Sequence, residues 1–106
     1  IIAPDTLRGG ATVESCVAEL DAKIAEIGAD RVAALFAEPI QASGGVIMPP
    51  EGYLKAMADL CRQHGILFVA DEVVTAFGRL GHMFASEDRY GIAPDILCCA
   101  KGLSSG

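Results

Sequence analysis

Apolar residues return at helical spacing twice along this chain and gather into short unbroken runs three times, and the two patterns alternate. Residues 1–10, with Pro4, Asp5, Gly9 and Gly10, carry neither pattern and are expected to be irregular. From Thr12, a suitable N-cap, Val13, Cys16, Val17, Leu20, Ile24 and Ile27 keep a helical period up to Gly28. Val32 to Ala37 reads as a strand that stops at Glu38-Pro39, since proline cannot continue a central ladder. Residues 41–50 hold Gly44, Gly45, Pro49 and Pro50 and read as a loop. The second helix is predicted to start at Pro50-Glu51, with Leu54, Met57, Ala58 and Cys61 as its inner stripe. Gly65 suits its C-cap, and His64 lies near the negative end of its dipole. Ile66 to Ala70 is the second strand and runs into Asp71-Glu72. After a 23-residue connection, Asp95 to Ala100 is the third and runs into Lys101-Gly102.

Strands alternating with helices imply an α/β fold, a parallel sheet with crossover helices. Ligands of such sheets bind outside the carboxyl ends of the strands. Glu38, Asp71 and Lys101 each close one of the strands. Neighbouring strands lie ~4.8 Å apart, so the three side chains are expected to line one small-molecule site. Taken singly, an acid there is often a cap or a solvated loop residue, and a lysine is usually surface. Together, an acid and an amine at one sheet edge are what a pyridoxal phosphate enzyme needs. The acid keeps the ring nitrogen protonated, and the lysine binds the aldehyde as a Schiff base.

With 106 residues, 52% of them hydrophobic, and a mean hydropathy of +0.41, the chain is more apolar than a small self-covering domain requires. It also opens on Ile1-Ile2 and stops shortly after Lys101. Residues 1–106 are therefore expected to be the central part of a larger α/β domain, inactive alone. The net charge of −6 and the scattered basic residues argue against a nucleic-acid partner. No apolar run approaches the ~20 residues of a membrane span, and no signal peptide is visible. Cys16, Cys61, Cys98 and Cys99 lack CxxC spacing and sit in apolar segments. They read as core residues in a reducing cytosol, with neither a disulfide nor a metal site expected.

Three stretches carry a resemblance: Ala37-Glu38-Pro39-Ile40-Gln41 with Gly44 to Leu54, His64 to Val73 with Thr75-Ala76-Phe77-Gly78-Arg79, and Gly91 to Ile96 with Ala100 to Gly106. As an ordered set they resemble the class III aminotransferases of pyridoxal phosphate fold type I. The resemblance is dense over residues 36–106 and loose over the first helix. It implies that this span belongs to the cofactor-binding large domain, covering three strands and two long helices. By the same resemblance Lys101 forms the Schiff base and then serves as the base for the proton shift. Asp71 pairs with the pyridine nitrogen, Val73 packs on the ring face, and Glu38 and Gln41 lie near the site. Arg79 more often braces its loop than meets a substrate carboxylate. The implied reaction is ping-pong transfer of an amino group from an amine or ω-amino acid to a keto acid such as pyruvate, in a cytoplasmic homodimer.

Some positions depart from the family pattern. Val74 stands where many members have glutamine, Ser43 where many have glutamate, and Ala76 where glycine is usual. The first two departures resemble the ω-amine and β-alanine:pyruvate subgroup more than the ornithine type. Decarboxylases, aminomutases and phospho-lyases of the family share the same aspartate and lysine. A competing reading from another class is a nucleotide hydrolase, because Ile66 to Glu72 also fits a Walker B strand. It needs a GxxxxGK[ST] loop, which the chain lacks, and it leaves Lys101 without a role.

Overall fold

Thr12 opens the first helix by satisfying amides that would otherwise lack partners. In the computed structural model, which describes residues 1–105, Thr12 Oγ1 accepts from the Ser15 amide at 3.2 Å and Ser15 Oγ accepts from the Thr12 amide at 3.0 Å. This reciprocal capping box starts α1, Val13–Ile27. Gly28 ends it with φ 93°, and a short 3-10 turn, Ala29–Arg31, leads to β1, Ala34–Ala37. The remaining elements are α2, Tyr53–His64, β2, Leu67–Asp71, the one-turn α3, Ala85–Asp88, and β3, Ile96–Cys98. A final 3-10 turn spans Lys101–Leu103.

The strands form one parallel sheet in the order β1-β2-β3. The parallel α/β architecture expected from the alternation is therefore present. The register pairs Phe36 with Val69, Val69 with Ile96 and Asp71 with Cys98. Strand side chains alternate between faces, so Leu35, Ala37, Phe68 and Ala70 share one face. That face packs against Cys16, Leu20 and Ile24 of α1 and Leu54, Met57 and Cys61 of α2. Met57 and Cys61 are fully buried. His64 Nε2, at the end of α2, sits 3.1 Å from Asp21 Oδ1 of α1, which ties the helices at their rim. The other face is partly open: Phe36, Leu67 and Ile96 are 66%, 45% and 47% exposed, while Val69 between them is buried.

Some boundaries move relative to the periodicity. α2 begins at Tyr53, because Gly52 takes a left-handed φ of 83° and the Tyr53 amide first closes a turn onto the Pro50 carbonyl. Gly65 caps it at φ 69°, as its position suggests. The buried stripe of α1 stops at Ile24, leaving Ile27 39% exposed at the last turn. β3 is shorter than its apolar run, ending at Cys98.

Candidate active site

β2 delivers two acids to the carboxyl edge of the sheet, and the fold treats them oppositely. Asp71, half-buried, accepts a hydrogen bond from the Val73 amide on Oδ1 at 3.1 Å, closing a tight turn. Among the described residues, Oδ2 receives none. Asp71 lines a cavity of about 360 Å³ together with Glu38 and Gln41, so three of the expected site residues do meet. Glu38 Oε2 accepts from the Ala42 amide at 3.2 Å. Gln41 exchanges backbone hydrogen bonds with Ile47 at 3.2 and 3.0 Å, which fixes the loop between them. Tyr53 lines the same cavity and is 5% exposed. Burial, with lesser contributions from Cys16 and Glu19, pushes its phenol up to about 12, so it presents a neutral hydroxyl. The periodicity did not single out Tyr53. Its place in the cavity depends on where α2 begins.

Glu72 is fully buried. Oε1 accepts from the Ser86 amide at 2.7 Å and from the Ser86 hydroxyl, and Oε2 from the Ala85 amide at 2.8 Å and Thr75 Oγ1 at 3.2 Å. One side chain thus gathers the start of α3 and the turn at Thr75 under the end of β2. A carboxylate enclosed this way has no access to water or a metal. That disposes of the Walker B reading, which requires this glutamate to polarise water. The Asp-Glu pair alone did not distinguish a working acid from a loop clamp; burial does.

Lys101 departs from the expectation of one shared site. β3 ends at Cys98, and Lys101 turns the chain with a left-handed φ of 44° into the 3-10 turn. Its exposed side chain lines a second cavity of about 360 Å³, with Val74, Ala76, Phe77, Gly78, Arg79 and Gly102. Glu38 and Asp71 share one hollow, and Lys101 opens on the other. The alternation that would have carried Val73 to the side of Asp71 also stops, because the strand ends at Asp71 and the chain turns at 73. Val73 reaches Asp71 through its amide and lines neither cavity. Arg79 is exposed within the loop beside Lys101.

Asp71 thus ends the central strand of the sheet, and Lys101 stands three residues beyond its registered neighbour Cys98. The family model "Aminotransferase class-III" covers residues 3–106. The chain belongs to the class III aminotransferases. It is 50% identical over 88 residues to the putrescine–pyruvate aminotransferase of Pseudomonas aeruginosa, covering 83% of this chain and 19% of that protein. It is 51% identical over 78 residues to the omega-amino acid–pyruvate aminotransferase of Pseudomonas putida, covering 74% of this chain and 17% of that protein. An amine transaminase from an uncultivated Pseudomonas species, solved in its PLP-bound internal aldimine form, superposes with a TM-score of 0.84 at 51% identity, over 89% of this chain and 21% of that one. The chain thus spans about a fifth of the length of the relatives it matches. Its fold is that of the fold type I transaminases. As a class III aminotransferase segment it contains no helix long and apolar enough to cross a membrane among the described residues.

Proposed function

We propose that residues 1–106 are the central part of the cofactor-binding large domain of a pyridoxal phosphate enzyme. The whole enzyme transfers an amino group from a primary amine or ω-amino acid to a keto acid such as pyruvate. The observation that carries this is a carboxylate, Asp71, and an amine, Lys101, at the carboxyl edge of two hydrogen-bonded parallel strands in a chain of this family. The exposed apolar positions Phe36, Leu67 and Ile96 on one sheet face support the domain reading, since apolar strand residues of this kind belong against another layer.

The residues present suit the cofactor. Among the described residues Asp71 Oδ2 has no protein donor, and Asp71 lines a cavity, so its carboxylate is available to a protonated ring nitrogen. When bound, pyridoxal phosphate supplies an aldehyde that condenses with a primary amine and a protonated ring that accepts the electron pair left by a departing proton. Asp71 would hold a proton at the ring nitrogen. Lys101 Nζ would anchor the cofactor and, as a free amine, would carry the proton from the substrate carbon and return it. Glu72 keeps the turn after Asp71 closed, and Glu38 and Gln41 shape the hollow beside it. The amine donor leaves as a carbonyl compound and the keto acid leaves as an amino acid. Val74 and Ser43 favour the ω-amine:pyruvate subgroup over the ornithine type. The family resemblance further implies a cytoplasmic homodimer.

Borohydride reduction of the full-length enzyme, followed by peptide mapping, tests the assignment. The cofactor should be fixed to Lys101, and Asp71→Asn should keep part of the cofactor while losing most of the single-turnover rate. Label on another lysine, or an unchanged rate in Asp71→Asn, would overturn it.

A further inference from the structure

Two non-glycine residues with left-handed backbone lie in one cavity wall, Phe77 at φ 58° and Lys101 at φ 44°. A residue with a Cβ holds that conformation only when its surroundings support it. The support of Phe77 is explicit. Its amide donates to the Met83 carbonyl at 2.8 Å and the Gly78 amide to the His82 carbonyl at 2.9 Å, closing the loop 77–83. Its ring meets Phe84 edge-on, with centroids 5.7 Å apart. Phe84 directly precedes Ala85 and Ser86, whose amides Glu72 holds.

The turn at Lys101 leans on this assembly. A Cβ placed on Gly102 would lie 3.0 Å from Phe77 Cβ, 3.1 Å from its Cδ2 and 3.4 Å from its Cγ. Gly102 therefore seats its backbone directly against the aromatic side chain, at a distance no other residue type tolerates without displacement. Glycine here is a matter of space, since Gly102 is not among the glycines with positive φ.

We propose that Phe77 is a positioning residue for Lys101: its side chain is the platform on which Gly102 rests, and it holds the preceding lysine in its left-handed turn. A continuous path of contacts then joins the two ends of the chemistry. It runs from Glu72, next to Asp71, through Ala85 and Phe84 to Phe77, and on to Gly102 and Lys101. The acid and the amine open on different cavities, and this path keeps them in fixed relation. The proposal rests on Lys101 being the cofactor-anchoring residue, and the experiment separates failure of that reading from failure of the platform.

The test uses the full-length enzyme and follows the rate at which added pyridoxal phosphate develops the visible band of the cofactor–lysine bond, and the pH midpoint of that band. Gly102→Ala should slow the bond by about tenfold or more, because misplacement of the amine by a fraction of an ångström is costly, and should move the midpoint. Phe77→Gly, which suits φ 58°, should also slow it and move the midpoint, whereas Phe77→Tyr, which keeps the ring, should stay close to wild type. In the Phe77→Gly background the methyl that Gly102→Ala adds finds the struck atoms gone, so the double variant should be no slower than Phe77→Gly alone. Equal slowing by Gly102→Ala in both backgrounds would overturn the platform. So would a wild-type rate and midpoint in Phe77→Gly, which decides the matter even if Gly102→Ala does not fold. If borohydride labels another lysine, the cofactor reading fails. The platform is then read from the acylation rate of Lys101 in cofactor-free enzyme, where the same non-additive pattern supports it and additive effects overturn it.

Discussion

Replacing Glu72 by glutamine keeps the shape of the side chain and removes its capacity to accept from four donors. Each carboxylate oxygen now takes one amide and one hydroxyl: Ser86 on Oε1, and Ala85 with Thr75 on Oε2. An amide side chain offers a single oxygen. Whichever way it turns, its NH2 faces a backbone N–H that cannot rotate away, while the hydroxyl beside it can. One buried N–H left without an acceptor costs about 1–3 kcal/mol. The bonds that remain lose their charge assistance, roughly another 1 kcal/mol. The expected local destabilisation is therefore about 3 kcal/mol, or on the order of a hundredfold in the opening equilibrium. Hydrogen exchange at the Ala85 and Ser86 amides of the full-length enzyme reads it directly. Thr75→Val removes one hydroxyl donor and leaves both amides satisfied, so its effect should be about 1 kcal/mol. Unchanged exchange at both amides in Glu72→Gln, or an effect of Thr75→Val as large as that of Glu72→Gln, would show that Glu72 does not hold the loop.

Other expectations concern the scaffold. Burial raises the Cys61 thiol to about 11 and the Tyr53 phenol to about 12, from ordinary values of 9.0 and 10.0. As pH rises through these windows the unfolded chain releases the protons and the folded chain keeps them, so stability falls, by up to about 1.4 kcal/mol per pH unit for each group. The urea midpoint should drop above about pH 9, and Cys61→Ala should flatten the first part of the decline; equal slopes in the two proteins would contradict this. Thr12→Ala removes the acceptor for the Ser15 amide and should lower stability by about 1 kcal/mol, with Thr12→Ser close to wild type. An unshifted urea midpoint in Thr12→Ala would deny the cap its role.

The apolar periodicity by itself determined the order of the two long helices and the three strands, their parallel pairing and most of the inner stripes of α1 and α2; the one-turn α3 lies in what read as a connection. These follow from local rules: a 3.6-residue period buries one face, an unbroken apolar run fits a sheet, and Gly28 and Gly65 stop helices because they adopt positive φ without strain. It also placed Glu38 and Asp71 at the carboxyl edge of the sheet, since a strand end is a local feature, whereas Lys101 lies three residues past the end of β3. Which of those side chains meet was decided only in three dimensions. Asp71 joins Glu38, Gln41 and Tyr53 because β1 and β2 are registered neighbours and α2 starts at Tyr53. Lys101 lines the other cavity, where its own left-handed backbone turns the chain after β3. Strand alternation sends the adjacent carboxylates Asp71 and Glu72 to different sides, but no spacing rule says which is enclosed and which lines a cavity. The contact of Phe77 with Gly102 joins residues 25 positions apart through nothing a pattern encodes. The common reason is that period and propensity act over one turn or one strand, whereas burial, reciprocal hydrogen bonding and close approach depend on what the rest of the chain brings to the same place.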